Sequence, residues 1–266
     1  MSSWLKRLHS LFVLFGLDVN RFALSMKGLL PYIRNRSALR RQVAADQDLR
    51  VDFRMGRLYP CLSDRYDVAG SAQGHYFHQD LYVAQLVYRN GPVRHLDVGS
   101  RLDGFVAHIA SFRPIEVIDI RPLQSLVESI AFHQQDIMEA SPRFDAYTDS
   151  LSCLHALEHF GLGRYGDKVD YHGYRKGWEN LYRMLKPGGK FYFSVPVGPQ
   201  RIEFDAHRVF SVPFLVDMIR SKYRIDSFAY VNDEGSLVRN VDPEAREASE
   251  SFGCSFGCGI FELTKK

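Results

Sequence analysis

Several things are scarce in this 266-residue chain, and each shortage removes a class of function. Cysteine occurs four times, at Cys61, Cys153, Cys254 and Cys258, too few and too scattered for a disulfide framework, so a reducing, cytoplasmic setting is expected. Cys254 and Cys258 have no second Cys/His pair at ligand spacing, and they read as small residues on the approach to a Gly-rich strand rather than as zinc ligands. Net charge is only +3, so no global field points to nucleic acid. The apolar run at residues 11–15 falls far short of the roughly 20 residues of a spanning helix. Gly16 and Asp18 interrupt it, and no small-residue cleavage site follows. Internal repeats and low-complexity tracts are absent.

What remains is an ordinary globular composition, with 45% hydrophobic and 24% charged residues. The length suits one α/β domain with an appendage, divided here into a helical basic segment at 1–70 and a main domain at 71–266. Residues 1–50 carry nine Lys/Arg against three Asp/Glu, so the basic character is N-terminal. Trp4, Leu5, Leu8, Leu11, Phe12 and Phe15 recur at helical spacing among Lys6, Arg7 and His9, which predicts an amphipathic helix. Asp18 is placed to cap a second helix ending before Pro31. Such a segment serves either as a cap packed on the domain or as peripheral contact with an anionic membrane.

From residue 71 onward, strand-like and helix-like segments alternate, which predicts a mostly parallel sheet. Helix 76–88 leads to strand 94–98, helix 104–111 to strand 116–120, and helix 123–131 to a short strand at 132–135. Strand 150–154 follows, then helices over 155–160 and 173–185. Lys186-Pro-Gly-Gly stops the second of these. A fifth strand is expected at 190–196, a helix at 213–221, and an antiparallel edge hairpin from 224–231 and 257–265. Residues 232–251 read as a polar, mobile connection.

The chemistry starts where the first strand ends, in His95-Leu-Asp-Val-Gly-Ser-Arg-Leu-Asp-Gly-Phe. Gly99 lets the backbone turn sharply and approach a ligand, and Gly104 permits tight entry into the next helix. Asp119 closes the following strand about 20 residues later, where a carboxylate accepts hydrogen bonds from ribose hydroxyls. A complete G-x-G-x-x-G and a Walker lysine are both missing, which favours a phosphate-free nucleoside over a pyrophosphate.

These residues resemble the class I S-adenosylmethionine-dependent methyltransferases over roughly 94–197. Asp97-Val-Gly99 looks like their first motif, with Arg101 at the usual second glycine. Asp119-Ile120 is similar to the ribose-binding position and Asp136-Ile137 to the adenine-binding one. The run from Asp149 to His159 resembles the fourth-strand motif, and Leu185-Lys-Pro-Gly-Gly-Lys-Phe191 the turn before strand five. The resemblance implies a Rossmann-like fold with an antiparallel last strand. It places S-adenosylmethionine against Asp97, Gly99, Ser100, Arg101, Gly104, Asp119, Ile120, Asp136, Ile137 and Leu154. A closer likeness, carried by residues 74–80, 155–167 and 201–210, is to an uncharacterised domain-of-unknown-function family, number 268, in the same superfamily.

Methyl transfer from a sulfonium requires alignment of an acceptor and removal of its proton. His155, Glu158 and His159 stand at i, i+3 and i+4, one face of a helix. Ubiquinone-pathway O-methyltransferases carry a similar metal-binding Glu-x-x-Glu-His, but His155 replaces the first carboxylate here, which weakens the case for a divalent ion, so no metal ligand is assigned and an ion stays an alternative to direct base action. His207, with Glu203, Asp205 and Arg208 nearby, is the other candidate base. The expected activity is O-methylation of a small molecule or glycan, a sugar hydroxyl of a cell-surface polysaccharide or its precursor. Two alternatives stay open, a non-catalytic scaffold of the same fold and a zinc hydrolase using the literal H-x-x-E-H at 155–159.

Overall fold

Among the described residues, 12–45 and 55–266 of the computed structural model, the first strands are β1 (His95–Val98), β2 (Ile115–Asp119), β3 (Ile130–Gln134), β4 (Thr148–Leu154) and β5 (Leu185–Val197). After them come β6 (Arg201–Glu203), β7 (His207–Val209), β8 (Tyr223–Val231), β9 (Leu237–Val238) and β10 (Gly257–Lys265). The helices are α1 (Val19–Ala45), α2 (His75–Asn90), α3 (Ala107–Ala110), α4 (Gly173–Met184) and α5 (Val212–Arg220). Eight strands form one sheet in the order β3-β2-β1-β4-β5-β10-β8-β9, while β6 and β7 form a separate hairpin. The pairs from β3 to β5 are parallel and β10 is antiparallel to both β5 and β8. The strand order reverses between β1 and β4, and in such sheets the crevice beyond the carboxyl ends of those strands is where ligands bind.

Both faces of the sheet are covered, which is why its strands alternate weakly. On one face α2 buries Tyr82, Val83, Leu86 and Val87 against Val117, Tyr192 and Ile260. Gly91 then ends the helix in the left-handed region at φ 52°, its N–H donating to Val87 O at 3.1 Å. On the other face α4 buries Tyr174, Trp178 and Leu181, and α5 buries Leu215, Val216 and Ile219. The Trp178 ring meets Phe193 at 5.0 Å and Tyr223 at 5.3 Å.

The fold is the anticipated Rossmann-like sheet with antiparallel last strands, but five local expectations are corrected. Helix 123–131 does not form. Pro122 opens that stretch, Leu126 and Val127 are exposed, and with its apolar positions left unburied the chain stays irregular until β3 begins at Ile130. Only one short α-turn, α3, follows the π-turn Leu102–Val106 where helix 104–111 was expected. The 155–160 segment is a 3-10 turn over Leu157–His159, entered through His155 at φ 50°. Residues 232–251 are partly ordered by β9 and by the turn Arg246–Gly253, with Val241 and Ala248 packed on the core. The edge of the sheet is β9; β10 lies inside, between β5 and β8.

By contact density the chain divides into two compact units, residues 1–71 and 72–266. The predicted amphipathic helix at residues 4–15 lies mostly outside the described residues. In the first unit, Asp18 does cap α1, its Oδ1 accepting from Arg21 N at 2.9 Å. The helix does not end before Pro31 but continues to Ala45. Proline removes the N–H that would have bonded to the carbonyl four residues back, Lys27 O. That carbonyl accepts the Tyr66 hydroxyl at 3.2 Å instead, so the lost bond is replaced from outside the helix. Gly28 packs against Leu62, whose carbonyl oxygen would stand 1.8 Å from any Cβ at that position.

The aromatic seam under α4 makes a stability prediction. Trp178→Ala is expected to lower the unfolding free energy by about 3–5 kcal/mol through cavity formation. Trp178→Phe should cost much less, since the indole N–H has no partner to lose. Denaturant melts of the two variants check this, and equal losses would contradict it.

Candidate functional site

At the end of β1 the chain turns through Gly99, φ 77°, where a Cβ would come within 2.8 Å of Ala156 Cβ. A side chain there would both strain the backbone and collide with the loop after β4. Asp97, with no exposure to solvent, holds this turn from below. Its carboxylate accepts from Ser100 N at 3.0 Å, Ser100 Oγ at 2.8 Å and Ser152 Oγ. Behind it His95, also buried, sits 2.7 Å from Ser150 Oγ and 3.2 Å from Ser152 Oγ. Burial pushes the Asp97 carboxyl up to about 7 although the serine donors oppose it, and burial pulls His95 down to about 3. A Cβ at Gly104 would stand 2.7 Å from Asp80 Oδ2, so α2 closes on the turn from the other side.

Above the turn lies an open cleft lined by Gly99, Asp119, Ile120, Asp136, Ile137, His155, Ala156 and His159 among others. Asp119 and Asp136 bring two carboxylates to it from the ends of β2 and the segment after β3. Asp136 Oδ1 accepts from Met138 N at 2.8 Å, and burial raises its pKa. Asp119 is bridged by Arg121, with Nη2–Oδ2 at 2.6 Å and Nε–Oδ1 at 3.0 Å. The Arg121 guanidinium lies 4.6 Å from the Tyr165 ring centre, and that ring meets His159 edge-on at 5.4 Å.

The loop after β4 is built around two internal anchors. Asp167 accepts from Gly161 N at 2.8 Å and Gly163 N at 3.2 Å. Arg208, buried on β7, donates to Phe160 O at 2.7 Å, Glu158 O at 3.2 Å and Tyr171 O at 3.3 Å. Within this frame His155 Nδ1 is 2.8 Å from Glu158 Oε1. Burial lowers the His155 pKa, yet Cys258 and Glu158 outweigh it and hold the imidazole well above its ordinary value. Burial raises the Glu158 pKa in turn, but His155 brings it below the usual carboxylate range. The two form a buried ion pair. His159 differs: its Nδ1 is 2.7 Å from Ala206 O, and burial lowers its pKa. A neutral ring donating from Nδ1 keeps its lone pair on Nε2.

Of the residues singled out from the sequence, Gly99, Asp119, Ile120, Asp136, Ile137, His155 and His159 meet in the cleft. Glu158 is buried just behind His155. Asp97, Ser100 and Gly104 shape the turn, and Leu154 is in the core. Arg101 is exposed and paired with Asp103 at 2.7 Å. His207 lies outside the cleft lining, 4.8 Å from the Phe256 ring and 3.1 Å from Glu203 Oε2. Arg121, Tyr165 and Asp167 also line the cleft and were missed; only the closeness of Arg121 to Asp119 could have signalled one of them. His155, Glu158 and His159 do cluster, through the turn and not through one face of a helix. No group of three or more His/Cys/Asp/Glu suited to a metal ion occurs among the described residues.

Asp97 links this site to pH. Its folded pKa of about 7 exceeds the ordinary 3.8, so the stability it contributes is full below pH 3.8 and is lost as pH rises to about 7. The unfolding free energy of the natural chain, measured relative to Asp97→Asn, should therefore fall across that interval. A difference independent of pH would contradict the assignment.

Three solved structures are similar in fold. The [4+2]-cyclase SpnF is 16% identical over 69% of this chain and 80% of its own, with a TM-score of 0.49. The 1,6-didemethyltoxoflavin-N1-methyltransferase of Burkholderia thailandensis is 16% identical over 71% and 78%, with a TM-score of 0.49. The N-methyltransferase NodS of Bradyrhizobium japonicum WM9, in complex with S-adenosylhomocysteine, is 14% identical over 86% and 97%, with a TM-score of 0.48. No curated protein matches the sequence. A family model described as "Caenorhabditis protein of unknown function, DUF268" matches residues 114–249, from the entry into β2 to the turn before β10. The chain belongs to the DUF268 family.

Proposed function

We propose that this chain is an S-adenosylmethionine-dependent O-methyltransferase whose proton acceptor is His159. The observation that carries the reading is the placement of His159, its Nδ1 committed to Ala206 O, in the same cleft as Gly99, Asp119 and Asp136. The residues fit the cofactor: Gly99 leaves a cradle that a Cβ would fill, Asp119 offers acceptors for ribose hydroxyls, and Asp136 with Ile137 lies where an adenine edge would be read. When bound, the cofactor supplies a methyl group on a sulfonium.

The chain's own contribution is alignment and proton removal. His159 Nε2 accepts the acceptor hydroxyl's proton. The His155–Glu158 ion pair stays buried beside it and holds the ring's surroundings polar. The acceptor class, a sugar hydroxyl of a cell-surface polysaccharide or its precursor, is supported by the polar mouth formed by His159, Arg121, Tyr165 and Asp167. One observation favours the second reading, a non-catalytic module: Arg121 occupies both oxygens of Asp119, which ribose hydroxyls would also engage.

Asp119→Ala is expected to weaken S-adenosylhomocysteine binding roughly 10- to 150-fold, the loss of about 1.5–3 kcal/mol of charged hydrogen bonding, with the fold retained. Unchanged affinity by calorimetry would remove Asp119 from the cofactor site. Catalysis is tested separately. His159→Ala should lower turnover by roughly 10²- to 10⁴-fold and leave cofactor affinity nearly unchanged. Because the His159 pKa is lowered, its base form persists below pH 6.5 and activity should fall only as pH drops further. Turnover abolished by a chelator and restored by magnesium would refute the imidazole base. Cofactor binding without methylation of any glycan acceptor would favour the module.

A further inference from the structure

Helix α1 carries an apolar stripe that the described residues of its own unit leave exposed. Gly28 packs against Leu62 and marks the inward face of the helix. Roughly opposite it on a helix of about 3.6 residues per turn, Val19, Phe22, Met26, Leu29, Leu30 and Ile33 stand at i, i+3, i+7, i+10, i+11 and i+14. Every one of them is exposed, Phe22 at 67% and Leu30 at 66%. That spacing makes a single band about 100° wide, the width with which a helix normally faces a core.

Charge decides what covers the band. The 27 residues of α1 contain six Lys/Arg, namely Arg21, Lys27, Arg34, Arg36, Arg40 and Arg41, and no Asp or Glu. Lys27, Arg34 and Arg41 run along one border of the band, and Arg40 lies in line with Phe22 and Ile33 beyond its end. Soluble protein surfaces normally intersperse both signs of charge. A cation-flanked apolar band without a single carboxylate matches an acyl-chain boundary below anionic headgroups. No helix among the described residues is long and apolar enough to cross a membrane, so the match is to lying in the interface. We infer that α1 docks, parallel to the surface, on a bilayer containing anionic lipid. The inference does not rest on the activity proposed for the cofactor cleft.

The test uses the full chain with vesicles of phosphatidylcholine alone and of phosphatidylcholine with phosphatidylserine, read by co-sedimentation. Binding is expected to the anionic vesicles only and to fall steeply with added salt. Phe22→Ser with Ile33→Ser, shown by thermal melt to be folded, should reduce partitioning at least tenfold. The triple change Arg34→Gln, Arg40→Gln and Arg41→Gln should reduce it more than tenfold, given about fivefold per cation at an anionic surface. Equal binding to both vesicle types, or binding unchanged in the folded apolar variant, would overturn the inference. So would a concentration-dependent dimer, abolished by Phe22→Ser, that forms in place of vesicle binding, since the band would then be covered by a second copy.

Discussion

The carboxylate of Asp97, sealed beneath the end of β1, is the constraint on which the cleft depends. An ionisable group without solvent is costly to bury unless donors surround it, and here Ser100 and Ser152 supply them. Satisfying Asp97 forces the chain to fold back over it, and that fold-back puts Gly99 in the left-handed region with its backbone facing the cleft. The second layer of support comes from α2. Gln79 accepts from Ser194 Oγ and donates to Asp80, while Ser194 in turn accepts from His155 N. The end of β5 and the start of the turn after β4 are thereby tied to one helix.

Electrostatics then divides the three residues of the turn after β4 into two kinds. His155 and Glu158 neutralise each other out of solvent, whereas His159, committed through Nδ1 to a carbonyl, stays uncharged at the cleft wall. One short turn thus holds a fixed ion pair and a ring with a free lone pair. Arg208 makes this possible by donating to three carbonyls of a loop that has little regular structure of its own.

Much of this was legible in the sequence, where local rules govern. Gly99, Asp119 and Asp136 follow strand ends, and the period-two and helical patterns located those ends to within a few residues. The strand 257–265 coincides with β10. Elements that depend on partners far along the chain were not legible. Pro31 stays within a helix because Tyr66, 39 residues from Lys27, takes over the orphaned carbonyl. Arg208 anchors a loop about 50 residues before it, and its neighbour His207, the other candidate base, packs instead on Phe256. At 123–131 helical spacing was present, but no surface was available to bury it.

The central claim is that the crevice between β1 and β4 is a nucleoside-cofactor site organised by Asp97 and read by Asp119 and Asp136. A crystal structure of the full chain grown with S-adenosylhomocysteine tests it most directly. The account predicts the ribose within hydrogen-bond distance of Asp119, the adenine beside Asp136 and Ile137, and Gly99 against the ligand. Ligand bound elsewhere on the molecule, or an empty crevice at saturating ligand, would contradict it.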